Sequence, residues 1–161
     1  MSRGSMSGVA PEAVAYVFGS DAFPAINGKV CFYRKGEGTI VAARVNGLPQ
    51  GEMPCGERVF GFHVHQGASC SGTPEEPFAN AIGHYNPYGC MHPQHAGDLP
   101  PLFGDSKGYA MTIFYTDRFV PEEVIGRVVI IHDNPDDFKT QPSGNSGAMI
   151  ACGEIMKSQD V

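Results

Sequence analysis

The chain has 161 residues, of which 42% are hydrophobic, and a formal net charge of −6. A chain of this length fits one domain, and its acidic balance, with no local cluster of Lys or Arg, disfavours nucleic acids and anionic membrane surfaces as partners. The longest apolar runs, such as residues 128–131, are far too short to cross a bilayer. Residues 1–11 are small and polar and lack the apolar stretch of a signal peptide, so we expect a flexible tail followed by one domain at residues 12–161.

Seven segments have the composition of β-strands, and turn sequences rich in glycine separate them. In chain order they are residues 12–18, 28–35, 39–45, 58–65, 109–115, 126–132 and 148–155. Short strands in this number, in a chain with 21 Gly and 13 Pro, predict an all-β sandwich or barrel. Local helix is expected only at residues 121–125 or 135–139.

Two long stretches, residues 66–108 and 133–147, do not have the pattern of strands and are rich in Gly, Pro and polar residues. A compact domain seldom carries a structureless loop of this length unless the loop is functional. Metal ligation would explain how the first stretch is ordered without secondary structure of its own.

Histidine is the most informative residue type in this sequence. All six histidines, with one aspartate, can be given a role as metal ligands: His63, His65, His84, His92, His95, His132 and Asp98. Two four-coordinate metals need eight ligand positions, and these residues supply eight if one imidazole binds a metal through each ring nitrogen. One shared histidine would therefore complete two adjacent sites.

His63 and His65 lie one residue apart on a predicted strand, so their side chains leave the same face. His132 ends another apolar strand. Joined by His84, they form an all-imidazole set that suits copper, because Cu(II) accepts nitrogen donors in a tetragonal arrangement. Taken alone, these fragments fit half-buried strands with neutral histidines equally well.

The loop that follows carries His92, His95 and Asp98 at equal short spacing, with His84 eight residues before His92. Three histidines and one aspartate form a closed tetrahedral set of the kind used for structural zinc. The alternative is a solvated polar loop, but such loops rarely concentrate His over Lys and Glu.

Asp136 is a candidate to support these ligands from outside. A carboxylate that accepts the outer N–H groups of two ligating histidines would determine their tautomers and hold the two sites together. The alternative is a turn aspartate, because residues 134–136 are also a good turn sequence. The surrounding ligands favour the supporting role.

Together these motifs resemble the copper/zinc superoxide dismutase family over most of the chain. The matching segments are GFHVHQG at 61–67, GHYNP at 83–87, HAGDLP at 95–100, IGRVVIIHDNPDD at 125–137 and PSGNSGAMIACGEI at 142–155. The resemblance implies an eight-stranded Greek-key barrel with two long functional loops around the metals.

Carried over residue by residue, the resemblance assigns copper to His63, His65, His84 and His132. It assigns zinc to His84, His92, His95 and Asp98, so that His84 bridges the metals. It further implies that Asp136 links His63 with His92, and that Cys70 and Cys152 form a disulfide.

Two features depart from the family. Met149 stands where the family has an arginine that guides superoxide, and Lys139 is the only cation between His132 and Met149. Cys55 and Cys90 are additional cysteines, and whether they pair is open, because sequence does not show their proximity.

The resemblance implies an enzyme that converts superoxide to oxygen and hydrogen peroxide, with copper and zinc as cofactors. Met149 predicts a reduced rate, with Lys139 as the nearby compensating cation. One alternative is a copper-binding or copper-delivery protein with little activity, and another is a zinc-stabilised interaction module. The lack of an export signal favours the cytoplasm, whereas a disulfide would favour an oxidising compartment. A homodimer is an open alternative to the monomer.

Overall fold

A computed structural model describes residues 8–52 and 54–160. In these residues the strands are β1 (Ala13–Gly19), β2 (Asn27–Lys35), β3 (Gly38–Asn46), β4 (Val59–Phe60), β5 (Phe62–His65), β6 (Leu102–Phe103), β7 (Ala110–Thr116), β8 (Val128–His132) and β9 (Met149–Lys157). Helix α1 covers Pro121–Val124, and 3₁₀ turns lie at Ala79–Ala81 and Ser158–Asp160. No helix in the described part of the chain is long and apolar enough to cross a membrane.

The strands form a curled antiparallel sheet with the order β5-β8-β9-β1-β2-β3-β7, and β4 pairs with β6 in a separate ladder. The sheet curls around one apolar core that includes Phe32, Phe60, Phe62 and Ile131. The expected all-β barrel is therefore confirmed. Residues 1–7 of the expected tail lie outside the described residues, whereas the Pro11 carbonyl accepts a hydrogen bond from the Ser158 hydroxyl.

The segment 58–65, expected as one strand, is interrupted at Gly61. The Gly61 N–H donates to the Asn134 carbonyl, and the Gly61 carbonyl accepts the His132 N–H. A Cβ at Gly61 would lie 2.6 Å from the Ser146 Oγ, so only glycine fits against the second loop here. Because of this interruption the segment forms two short strands. Strand β4, before Gly61, pairs with β6, and strand β5, after it, pairs with β8.

Of the two local helices expected, the first is confirmed as α1, while the second is wrong. Residues 135–139 are not helical. Their aspartates bind elsewhere: the Asp137 carboxylate accepts the backbone N–H groups of Lys139 and Thr140, and Asp136 accepts hydrogen bonds from buried histidines. Side chains that bind nearby backbone groups favour turns over helix.

Strand β8 is apolar on both faces, and this determines where the long loops lie. Val129 and Ile131 pack into the main core. Val128 and Ile130 pack on the opposite face against Phe78, which belongs to the first long loop. The two loops therefore cover an outer face of the barrel rather than extending from its ends.

Candidate metal centre

The outer face of β5 presents two of the histidines. His63 pairs with Ile130 and His65 with Val128, so both imidazoles leave the face that the loops cover. They are almost completely buried, with 0% and 3% of their surface exposed. Burial of a polar ring without a hydrogen-bond or metal partner is costly, so the surroundings of each ring nitrogen decide what it does.

The first cluster contains one ring nitrogen from each of four histidines, and all four atoms lie within 4.8 Å of one another: His63, His65, His84 and His132. The Nε2 atoms of His65 and His132 are 3.3 Å apart. His63 Nδ1 and His84 Nε2 are buried and have no hydrogen-bond partner.

The second cluster shares His84 with the first and adds His92, His95 and Asp98. Its short distances are between ligand atoms: His84 Nδ1 lies 3.3 Å from His95 Nδ1, and His92 Nδ1 lies 3.1 Å from Asp98 Oδ2. The Asp98 Oδ1 atom lies 2.8 Å from His84 Nδ1. His84 thus directs one ring nitrogen to each cluster.

In each ring, the hydrogen bond of the nitrogen that points away from the cluster determines the tautomer. His65 Nδ1 donates to the Ile82 carbonyl at 2.7 Å, and His132 Nδ1 donates to the Gly147 carbonyl at 3.2 Å. A carbonyl oxygen only accepts, so each Nδ1 carries the proton and each Nε2 keeps its lone pair. The lone pairs of both rings therefore point into the first cluster.

Asp136 determines the tautomers of two further rings. Its Oδ2 accepts from His63 Nε2 and its Oδ1 from His92 Nε2, each at 2.8 Å. Both Nδ1 atoms are therefore left as lone-pair donors, one in each cluster. Although burial by itself would raise the pKa of Asp136, the hydrogen bonds from His63 and His92 hold that pKa well below its usual range.

Burial also favours the neutral form of four of the imidazoles. It lowers the pKa of His63 to about 4 and that of His132 to about 3, and it lowers the pKa of His65 and of His95 in the same direction. Burial would raise the pKa of Asp98, but the hydrogen bond from His84 and the neighbouring imidazoles lower it. Neutral imidazoles and a charged carboxylate are the forms that bind metal.

The arrangement fits two metal ions. Ligand atoms around a tetrahedral zinc at roughly 2.0–2.1 Å are about 3.3 Å apart, which matches the second cluster. The unpartnered nitrogens of His63, His84 and His92 are buried acceptors whose desolvation a bound cation would offset. The all-nitrogen first cluster suits copper.

Two residues that the sequence did not reveal hold the second cluster in place. The Arg118 guanidinium donates to the carbonyls of Pro93 and His95 at 2.8 and 3.1 Å. Gln141, from the second loop, accepts the His92 N–H and donates to the His92 carbonyl. Both bind backbone atoms far along the chain, so no local pattern identifies them.

A cavity of about 510 Å³ leads from the surface to the rings of His65, His84 and His132. Met149 forms part of its wall, and no Lys or Arg is among the described residues that line it. Lys139 is exposed and lies outside this lining.

The expected disulfide between Cys70 and Cys152 is confirmed, and it joins residues 82 positions apart in the sequence. It attaches the first long loop to β9. Cys55 and Cys90 are exposed free thiols in the structure, so the second bridge left open by the sequence is not formed.

Fold and site together define a β-barrel protein with two adjacent clusters of candidate metal ligands that share one histidine. The family model described as "Copper/zinc superoxide dismutase (SODC)" matches residues 26–155. The chain belongs to the copper/zinc superoxide dismutase family, whose members are oxidoreductases that use copper and zinc.

Individual relatives agree with this assignment. "Superoxide dismutase [Cu-Zn] 2" of Aquifex aeolicus is 34% identical over 142 residues, covering 80% of this chain and 78% of the relative. "Superoxide dismutase [Cu-Zn]" of Deinococcus radiodurans is 32% identical over 146 residues, with 80% and 76% covered.

Solved structures share the fold. The Cu/Zn superoxide dismutase from Brucella abortus has a TM-score of 0.73 at 26% identity, with 89% of this chain and 99% of that chain covered. The clock protein EA4 has a TM-score of 0.74 at 26% identity, with 92% and 96% covered.

Proposed function

We propose that this protein dismutates superoxide, with copper at His63, His65, His84 and His132 and zinc at His84, His92, His95 and Asp98. The observation that carries the proposal is His84, which directs a buried Nε2 without a hydrogen-bond partner into one cluster and its Nδ1 into the other. A protein that only stored copper would not need an imidazole shared between two sites.

Each of the chain's groups then has a defined part. Bound copper supplies the one-electron chemistry by which two superoxide ions and two protons become oxygen and hydrogen peroxide. His84 Nε2 can take up a proton when it is not bound to copper and pass it to the peroxide product. Asp136 and the carbonyls of Ile82 and Gly147 keep four of the other rings in the tautomers that bind metal.

We further propose that turnover is below that of an enzyme with a cation at the cavity mouth. Met149 supplies neither the charge nor the guanidinium donors that could attract and hold superoxide. The Lys139 side chain is the nearest candidate for partial compensation in sequence, although it does not line the cavity. Methionine in place of arginine at position 149 also favours the second candidate function, a copper-binding or copper-delivery protein.

The test is to reconstitute the metal-free protein with both metals. We expect one copper and one zinc per chain, dismutation above that of free copper, and a change in the copper spectrum when zinc is removed. In His84→Ala the copper spectrum should no longer respond to zinc. Gln66→Ala, in the same cavity wall, is the control and should respond as the unmodified protein does.

Two results would contradict the proposal. A copper spectrum that does not change when zinc is removed from the unmodified protein would exclude His84 as a shared ligand. If the protein binds both metals but does not dismutate superoxide, the copper-delivery function would replace the dismutase proposal.

The compartment and the assembly are also proposals. The cytoplasmic placement expected from the sequence is opposed by the disulfide between Cys70 and Cys152, because structural disulfides persist in oxidising compartments. Alkylation of cell extracts under non-reducing conditions would decide between them: free thiols at both cysteines support the cytoplasm. Sedimentation of the metal-loaded protein would test the homodimer.

A further inference from the structure

The side chain of Met149 lies beside the copper ligands because of a bulge in β9. His132 of β8 is paired with Met149, whereas the preceding residue Ile131 is paired with Ala151. Ile150 is therefore an extra residue in β9, and it is 1% exposed in the main core. Without this bulge, Ile150 would oppose His132, and the methionine would be displaced from the site.

Directly opposed residues in an antiparallel pair share a face, and their Cβ atoms are about 4.5–5.5 Å apart. Met149 accordingly packs against the outer-face cluster that includes Ile130 and Cys152, on the side that carries the histidines. It also lines the cavity that reaches His65, His84 and His132. Met149 thus shares the wall of this cavity with three of the proposed copper ligands.

A thioether is a soft donor, and soft donors favour Cu(I), whereas imidazole nitrogens also suit Cu(II). The methionine side chain has three rotatable bonds, so its sulfur can approach or leave a metal without movement of the strand. Among residues 8–52 and 54–160, no Lys or Arg lines the cavity to repel a cation. These features suit a monovalent soft cation better than an anion.

We propose that Met149 is an additional ligand for the reduced metal, so that this cavity binds Cu(I) through the Met149 sulfur together with histidine nitrogens. The inference rests on the proposed copper site and names a donor outside its four histidines. Loss of the sulfur should weaken Cu(I) binding and leave Cu(II) binding unchanged, because Cu(II) is held by the four imidazoles.

The experiment measures binding rather than turnover. Zinc-loaded protein is titrated anaerobically with Cu(I) against a colorimetric Cu(I) chelator, and sulfur scattering is measured by X-ray absorption of the Cu(I) form. Met149→Leu removes the sulfur at similar volume. Met111→Leu removes an exposed methionine of β7 and is the matched control.

We expect Met149→Leu to bind Cu(I) at least roughly tenfold more weakly, the loss typical when a residue supporting a metal site is removed. Its Cu(I) form should show only nitrogen scattering, whereas the unmodified protein and Met111→Leu should show one sulfur. Cu(II) affinity should be equal in all three proteins.

Equal Cu(I) affinities, or no sulfur scattering in the unmodified protein, would overturn the role of Met149. If Cu(II) is still bound by nitrogen donors in that case, the proposed function stands. Failure of the unmodified protein to bind Cu(II) through nitrogen would overturn the copper site itself, and this inference with it.

Discussion

At the scale of single residues, Asp136 joins the two proposed metal sites from outside. Its two oxygens accept the outer N–H groups of His63 and His92, one in each cluster. It is buried, with 6% of its surface exposed, so water cannot replace either hydrogen bond. Its carboxylate is therefore committed to these two imidazoles, whereas an exposed turn aspartate can exchange its partners for water.

We predict that Asp136→Asn weakens binding of both metals by roughly 10- to 100-fold. An amide offers one acceptor oxygen, and its NH₂ group would face the second imidazole N–H, so at least one ring loses the partner that determines its tautomer. Competition with chelators of known affinity would measure the change for each metal.

Asp137→Asn is the control for this change. Asp137 has the same charge in the same loop, but its carboxylate binds Thr140 and the backbone of Lys139, with no histidine. Metal affinities that fall equally in both variants would show that loop charge, rather than the link between His63 and His92, is responsible.

At the scale of elements, the second loop owes its close approach to Gly144. Its φ is 71°, and a Cβ there would lie 2.0 Å from Asp136 Oδ1 and 2.6 Å from His92 Nε2. The glycine packs against the hydrogen bond that joins these two side chains. Both are buried and hydrogen-bonded to each other, so a Cβ at this position would push them apart and break that hydrogen bond.

We predict that Gly144→Ala lowers affinity for both metals and destabilises the protein, whereas Gly126→Ala only destabilises it. Gly126 has a φ of 88° with nothing within 4 Å of its Cβ position, so alanine there carries the backbone strain alone, about 1–2 kcal/mol. Urea denaturation and metal competition on both variants separate the two effects. Unchanged metal affinity in Gly144→Ala would contradict the predicted displacement of Asp136.

The disulfide is the second element-scale constraint. It closes a loop of 82 residues between the first long loop and β9, and Cys152 is fully buried. We predict that replacing Cys70 and Cys152 together by serine lowers the free energy of unfolding by roughly 4 kcal/mol, from the added entropy of the unfolded chain. Denaturant titration of the metal-free proteins measures it.

Cys90→Ser supplies the comparison, because Cys90 is an exposed free thiol in the same loop. If the double variant is as stable as Cys90→Ser, the cross-link contributes nothing to stability.

At the scale of the whole molecule, the negative net charge of the protein repels superoxide, its anionic substrate. The chain carries a net charge of −6, superoxide is an anion, and the cavity wall has no Lys or Arg in the part of the chain that the structure describes. Salt screens such long-range repulsion, with a Debye length of about 10 Å at 0.1 M. The second-order rate of the unmodified protein should therefore rise with ionic strength.

We predict that Met149→Arg reverses this dependence. A cation at the mouth of a cavity can raise the association rate by roughly tenfold or more at low salt, and the gain shrinks as salt is added. The measurement is the rate of superoxide decay across ionic strength, at matched copper and zinc content.

Met149→Leu shows what loss of the thioether does without added charge. An arginine variant that is no faster than the leucine variant at low salt would mean that guidance at this position does not limit the enzyme.

Much of the site could be predicted from the sequence because donor chemistry belongs to the side chain itself. Six histidines and Asp98 in short, regular spacings indicated two clusters with a shared ring, and the strand period indicated that His63 and His65 leave one face. The barrel followed from short strands separated by glycine-rich turns. These features depend on residues close together in the chain.

The tertiary structure decided what depends on contacts between distant segments. Local composition did not show the interruption at Gly61, because the cause is Ser146 in another loop. It did not show that Arg118 holds the backbone of Pro93 and His95, or that an extra residue in β9 places Met149 opposite His132. Residue types alone determined which ligands are present; only packing decided which ring nitrogen is free and what lies beside it.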